Sequence, residues 1–172
     1  MKRIMILGLS LLMTLFIACE DKKDDAAVEE STVITVTTGN VNDGSFYYNL
    51  TIAAEDTNTW HVSLQNIDAG GGYYMPSIVL NNSVMVTIDN SVTFDELEEI
   101  PSNDQWSTDI SIVAYGGDNE VLNYDPTNPN HTVSVSNDNI LIYIPTTHQV
   151  FKLQFDEYSD GILLFQFDEM TQ

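Results

Sequence analysis

One cysteine, Cys19, is all the chain has, so no internal disulfide framework can hold it together. Cations are nearly as scarce. Lys2, Arg3, Lys22, Lys23 and Lys152 stand against 26 acidic residues. A chain charged in this way repels nucleic acid and anionic lipid surfaces, and offers anionic ligands an unfavourable field. Whole chemistries are missing too. There is no G-x-S-x-G elbow, no P-loop, no dinucleotide fingerprint and no zinc-ligand spacing, and the lone thiol lies at the end of an apolar leader. Carboxylate pairs such as Asp95/Glu96 and Asp156/Glu157 abound because acids abound, so they do not single out glycoside hydrolysis. No catalytic residue is nominated, and an enzyme is not expected. The oxygen-rich turns, with "VNDGS" (41–45) the nearest case, carry ligand types that calcium accepts. Short acidic loops of this kind ordinarily bind only water, and no metal is assigned.

What is present begins with the leader. "MKRIMILGLSLLMTLFIAC" has basic Lys2 and Arg3 and then an apolar run from Ile4 to Ala18. That run is short and early, as in a secretory signal peptide rather than a spanning helix. Ala18-Cys19 resembles the lipobox of bacterial lipoproteins, in which the cysteine is acylated and becomes the first residue. Residues 1–18 therefore read as a lipoprotein signal peptide and Cys19 as the lipidation site, with membrane lipid as its partner. Residues 19–31 hold "EDKKDDAAVEE", which is free of aromatics and has nothing to bury, so they read as a disordered acidic tether. Lys23-Asp24-Asp25 resembles the lysine-plus-acid signal that sends Bacteroidota lipoproteins to the outer face of the outer membrane. Loss of the leader leaves three lysines against 26 acids, a net charge of −23. One domain, 32–172, follows.

From Thr32 onward the hydrophobic period is two, and no stretch has a convincing helical period. About ten short strands are predicted, at 32–37, 46–54, 60–65, 73–80, 84–88, 109–115, 131–136, 139–144, 149–155 and 161–167. Turn formers such as "GNVNDG", "DAGGG" and "DPTNPN" separate them. The fold class is all-β, mostly antiparallel, a twisted sheet or sandwich ending in a three-strand meander. "FDELEEIP" (94–101) has room for one turn closed by Pro101. Pro76 makes its run an edge strand, a bulged one, or two pieces. In the meander, Phe151, Leu153 and Phe155 share one face, and Leu163, Phe165 and Phe167 share another. Joining those faces pairs Phe155 with Leu163, Leu153 with Phe165 and Phe151 with Phe167. Lys152 then lies on the more solvated face, opposite Gln166 and diagonal to Asp168, where it also discourages edge-to-edge aggregation.

Residues 123–167, with Lys152-Leu153-Gln154-Phe155, Tyr158 and Gly161 in order, resemble the C-terminal part of the HmuY-like lipoproteins of Bacteroidota. Trp60 with its flanking strand and "SVTFDELEEIPSNDQWSTD" (91–109) look like that family's middle region. The resemblance covers about two thirds of the mature chain. It implies a surface lipoprotein that holds haem, or a related porphyrin, between two axial side chains and passes it to an outer-membrane receptor. Haem is then the implied cofactor. His131, in a loop after "DPTNPN", and Met75, beside Tyr73 and Tyr74, are the candidate axial ligands, imidazole and thioether both being competent. His61 reads as a plain strand residue and His148 as a solvated turn residue. The propionates of haem run against the acidic field, since Lys152 is the only cation of the domain. The other reading is a non-enzymatic ligand- or protein-interaction module of the same fold without haem.

Overall fold

The computed structural model describes residues 33–68, 70–108, 112–113, 121–125, 127–129 and 132–171. The expected signal peptide and tether, together with Cys19 and His131, lie outside the described residues. Twelve strands form among those described: β1 (Ile34–Thr37), β2 (Phe46–Asn49), β3 (Ala54–Glu55), β4 (Val62–Asp68), β5 (Tyr74–Leu80), β6 (Met85–Asp89), β7 (Ile112–Val113), β8 (Leu122–Asp125), β9 (Thr132–Val135), β10 (Asn139–Ile144), β11 (Gln149–Ser159) and β12 (Ile162–Met170). One antiparallel sheet runs β1-β12-β11-β10-β6, a second runs β3-β2-β4-β5-β7, and β8 and β9 pair as a separate hairpin. The protein is all-β, and the first two sheets face each other as a sandwich.

Alternation decides which face is inside. Phe151, Leu153 and Phe155 from β11, Leu163, Phe165 and Phe167 from β12, and Ile140, Ile142 and Ile144 from β10 are all buried in one cluster. Phe46, Tyr48, Val62, Leu64, Ile78 and Leu80 meet them from the second sheet. Tyr48 bridges the layers, its ring 5.7 Å from both Phe165 and Phe167 in edge-to-face contact.

The expected faces of the C-terminal hairpin are therefore the observed ones, but the register differs by two residues. Phe155 pairs with Phe165, Leu153 with Phe167 and Lys152 with Asp168. The turn falls later than expected, at Asp160–Gly161, and a β-bulge between Phe155 and Glu157 takes back one residue. Its extra residue keeps both aromatic rows inward while β11 runs on to Ser159. The chain then reverses through two residues in the left-handed region, Asp160 (φ 49°) and Gly161 (φ 89°), the geometry that suits the twist of a hairpin.

Other boundaries also shift. The run 46–54 breaks after Asn49, because the side chain of Asn49 accepts from the backbone N of Thr51 at 3.0 Å and turns the chain. β8 was not anticipated; its polar "LNYD" pairs with β9, with Leu122 inward. β5 is continuous through Pro76. Among the described residues Pro76 pairs with Asn66 of β4, and β7 pairs with Ile78 and Val79 further along the strand. The turn expected in 94–101 is a single one, Glu96 N donating to Thr93 O at 3.1 Å.

The outer face of the first sheet is covered. Leu97, Ile100 and Trp106 lie over Leu141, Val150, Met170 and Tyr143 as a second small cluster. Three hydrogen bonds from two side chains hold the backbone of this covering segment. Asn139 Nδ2 donates to Val92 O at 2.9 Å, and Lys152 Nζ donates to Phe94 O at 2.9 Å and Leu97 O at 3.2 Å. Lys152 is 8 % exposed and lies 4.6 Å from the centre of the Phe94 ring. The expectation of a solvated lysine is thus corrected: it is buried, with its carbon stem and its tip both under the 94–97 strap.

At the hairpin turn, Val41 N donates to Gly161 O at 2.8 Å and Asn40 Nδ2 to Asp160 O at 2.9 Å. A Cβ on Gly161 would collide with the side chains of Asn40 and Asn42. Gly161→Ala is therefore expected to cost about 2 kcal/mol from its left-handed backbone, and more if the loop cannot yield. Urea unfolding reads it directly; an unchanged midpoint would contradict this account.

Candidate functional site

The hairpin joining β4 to β5 ends in "GGGYY". Gly70, Gly71 and Gly72 all take positive φ, at 99°, 67° and 81°, which glycine alone adopts without strain. Asp68 Oδ1 accepts from Gly70 N at 2.8 Å, and Tyr73 N donates to Gly70 O at 3.3 Å, bracing the tip. What the tip presents is unusual for a soluble face. Tyr73 is 76 % exposed and Tyr74 67 %. Tyr74 belongs to the row of Ile78 and Leu80, which are buried in the core. The core-facing row of β5 therefore runs off the end of the sandwich and leaves an aromatic ring overhanging it.

Two polar ties fix what lies beside that end. Asn66 Nδ2 of β4 reaches Asn42 Oδ1 at 3.3 Å and Val41 O at 3.4 Å. Asn40, in the same loop, holds the Asp160 turn. Exposed Asp43, Asp68 and Asp160 consequently share the end of the molecule that carries the tyrosines. An open hollow of about 320 Å³ adjoins this turn, lined by Thr37, Glu157, Ser159, Asp160, Ile162 and Leu164. No group of three or more His, Cys, Asp or Glu side chains is placed to hold a metal ion among the described residues.

The candidate ligands separate as follows. Met75 is half-buried in β5, opposite Ile67 of β4. Tyr73 and Tyr74, beside it, are both exposed. His131 lies outside the described residues. His148 is exposed in the β10–β11 turn, its Nδ1 2.8 Å from Tyr143 Oη.

His61 is 8 % exposed and its Nδ1 accepts from the backbone N of Leu50 at 3.1 Å. That bond requires the neutral ring with its proton on Nε2. Burial holds its pKa below the ordinary histidine value. The unfolded chain then binds the proton more readily than the folded one. The stabilisation is complete above about pH 6.5 and is lost as pH falls from there through the lower folded pKa. In melts at pH 7.5 and 5.5, the wild type should lose more Tm than His61→Gln does; parallel losses would contradict the assignment.

Tyr73 and Tyr74 were visible in the sequence, but their exposure was not. The asparagine ties at 40, 42 and 66 were missed; the "GNVNDG" turn was their only signal. No helix among the described residues is long and apolar enough to cross a membrane. The chain matches no family model, no curated protein and no solved structure.

Proposed function

We propose that this chain is a non-catalytic binding module, tethered to the outer face of a bacterial outer membrane through acylated Cys19, with the β4–β5 hairpin as its contact element. The observation that carries the reading is the adjacent pair of exposed tyrosines on a braced glycine tip. Exposed tyrosines of this kind are the residues that dominate recognition surfaces, because one ring contributes large apolar area, a polar tip and little conformational entropy. The HmuY-like resemblance supports the tethering and the all-β scaffold.

Haem, or a related porphyrin handed to an outer-membrane receptor, is the second reading. What favours it is Met75, a half-buried thioether next to the two rings. What weighs against it is Lys152. The one lysine of the domain is engaged with the carbonyls of Phe94 and Leu97 and is buried, so it offers nothing to a propionate.

A haemin titration separates the two. The module reading expects no saturable Soret shift. A saturable shift that disappears in Met75→Ala would establish the porphyrin reading in its place. Tethering is checked apart from ligand: Cys19→Ala should release the protein or leave it unprocessed, and a variant that stays membrane-bound at normal mature mass would overturn it.

A further inference from the structure

The partner's chemistry can be taken one step further, and this step rests on the module reading above. We infer that the Tyr73/Tyr74 tip docks a protein segment that presents arginine or lysine side chains. Two independent features lead there. The first is the pair of exposed ring faces, each negative at its centre by its quadrupole and therefore attractive to a cation. The second is the field in which those rings stand. Residues 32–172 contain twenty carboxylates and one lysine, and that lysine is withdrawn under the 94–97 strap. The cation that would otherwise moderate the surface is thus inside the molecule. Asp43, Asp68 and Asp160 lie exposed at the tyrosine-bearing end.

The chemistry discriminates among partners. An anionic segment meets repulsion on approach. A neutral one gains only ring contact. A basic one is drawn in by the long-range field and then held by cation–π contact at the rings. Arginine suits the site best, because its planar guanidinium stacks on a tyrosine face while its N–H groups remain free to reach a carboxylate. The braced tip adds to this, since little order has to be gained on binding.

The test uses the purified protein and a short peptide of alternating arginine and glycine, with glutamate–glycine and serine–glycine peptides as comparisons. The arginine peptide should bind saturably, weaken as sodium chloride rises, and lose about tenfold in affinity in the Tyr73→Ser/Tyr74→Ser variant, the combined worth of two exposed cation–π contacts. Both rings are outside the core, so the variant should keep the wild-type Tm. Unchanged affinity in the variant would mean that diffuse charge alone binds the peptide and would overturn the assignment. So would equal binding of the serine–glycine peptide, or no saturable binding of any of the three. These results sink the cationic partner only. The module reading itself falls on a different measurement, a saturable haemin spectrum that depends on Met75.

Discussion

Phe165→Ala should destabilise the protein by about 3–5 kcal/mol. The ring is 1 % exposed and touches both layers of the sandwich. It meets Tyr48 edge-on at 5.7 Å, Phe155 at 5.9 Å and Phe167 at 6.2 Å. Alanine would leave a cavity bounded by three other rings, and rigid aromatics collapse poorly into such a space, so the cost should lie toward the upper part of that range. Phe155→Ala should follow closely. Equilibrium urea unfolding gives both values; a loss below about 1 kcal/mol in each would mean that the inward face had been misassigned.

Lys152→Met should cost about 3 kcal/mol, as two buried carbonyls lose their donor. Methionine keeps the apolar stem and a favourable contact with the Phe94 ring, so the substitution isolates the Nζ bonds. A buried charged side chain is often replaceable by a hydrophobic one at little cost. Here it is not, because the acceptors are backbone oxygens of Phe94 and Leu97 that the substitution leaves behind. The damage should be local first: amides in 94–100 should exchange faster with solvent while those of β11 and β12 hold their protection. A variant as stable as the wild type, with slow exchange across 94–100, would show that the strap is held by its apolar contacts alone.

Both effects depend on a boundary between what the residues announce and what they do not. The inward rows of β10, β11 and β12 could be read directly, because alternation is a local property of the chain. The register of β11 on β12 could not. The tight turn at Asp160–Gly161 and the one-residue bulge at Asp156 together move the pairs by two positions, and the alternation within 149–155 and within 162–167 is the same in either register. β8 was lost for a related reason: "LNYD" shows one apolar residue to the core and runs straight into a turn-rich segment. Lys152 illustrates the limit most clearly. A lysine read as opposite Gln166 and diagonal to Asp168 is expected on the more solvated face, and its true partners are main-chain oxygens more than fifty positions away. Main-chain acceptors have no residue signature. The tyrosine tip sits between these cases. Its composition and its glycine turn were plain, but overhang depends on how far one strand outruns the opposing sheet, which only the assembled sandwich settles.

The placement of β1 has a mechanical consequence. It is the edge strand of its sheet, and Ile34 pairs with Phe167 while Thr37 pairs with Leu164. The chain therefore enters the sandwich at the end remote from the Asp160–Gly161 turn, and the tyrosine tip stands at the end that carries that turn. In a protein tethered at its N-terminus and gripped at its tip, tension enters along the axis of β1. Its ladder to β12 is then loaded in shear, with all its hydrogen bonds sharing the pull, instead of being peeled one bond at a time. Pulling the same domain from residue 171, at the end of β12, would load that ladder and the β11 ladder differently. A force-spectroscopy comparison of the two attachments should show unequal rupture forces.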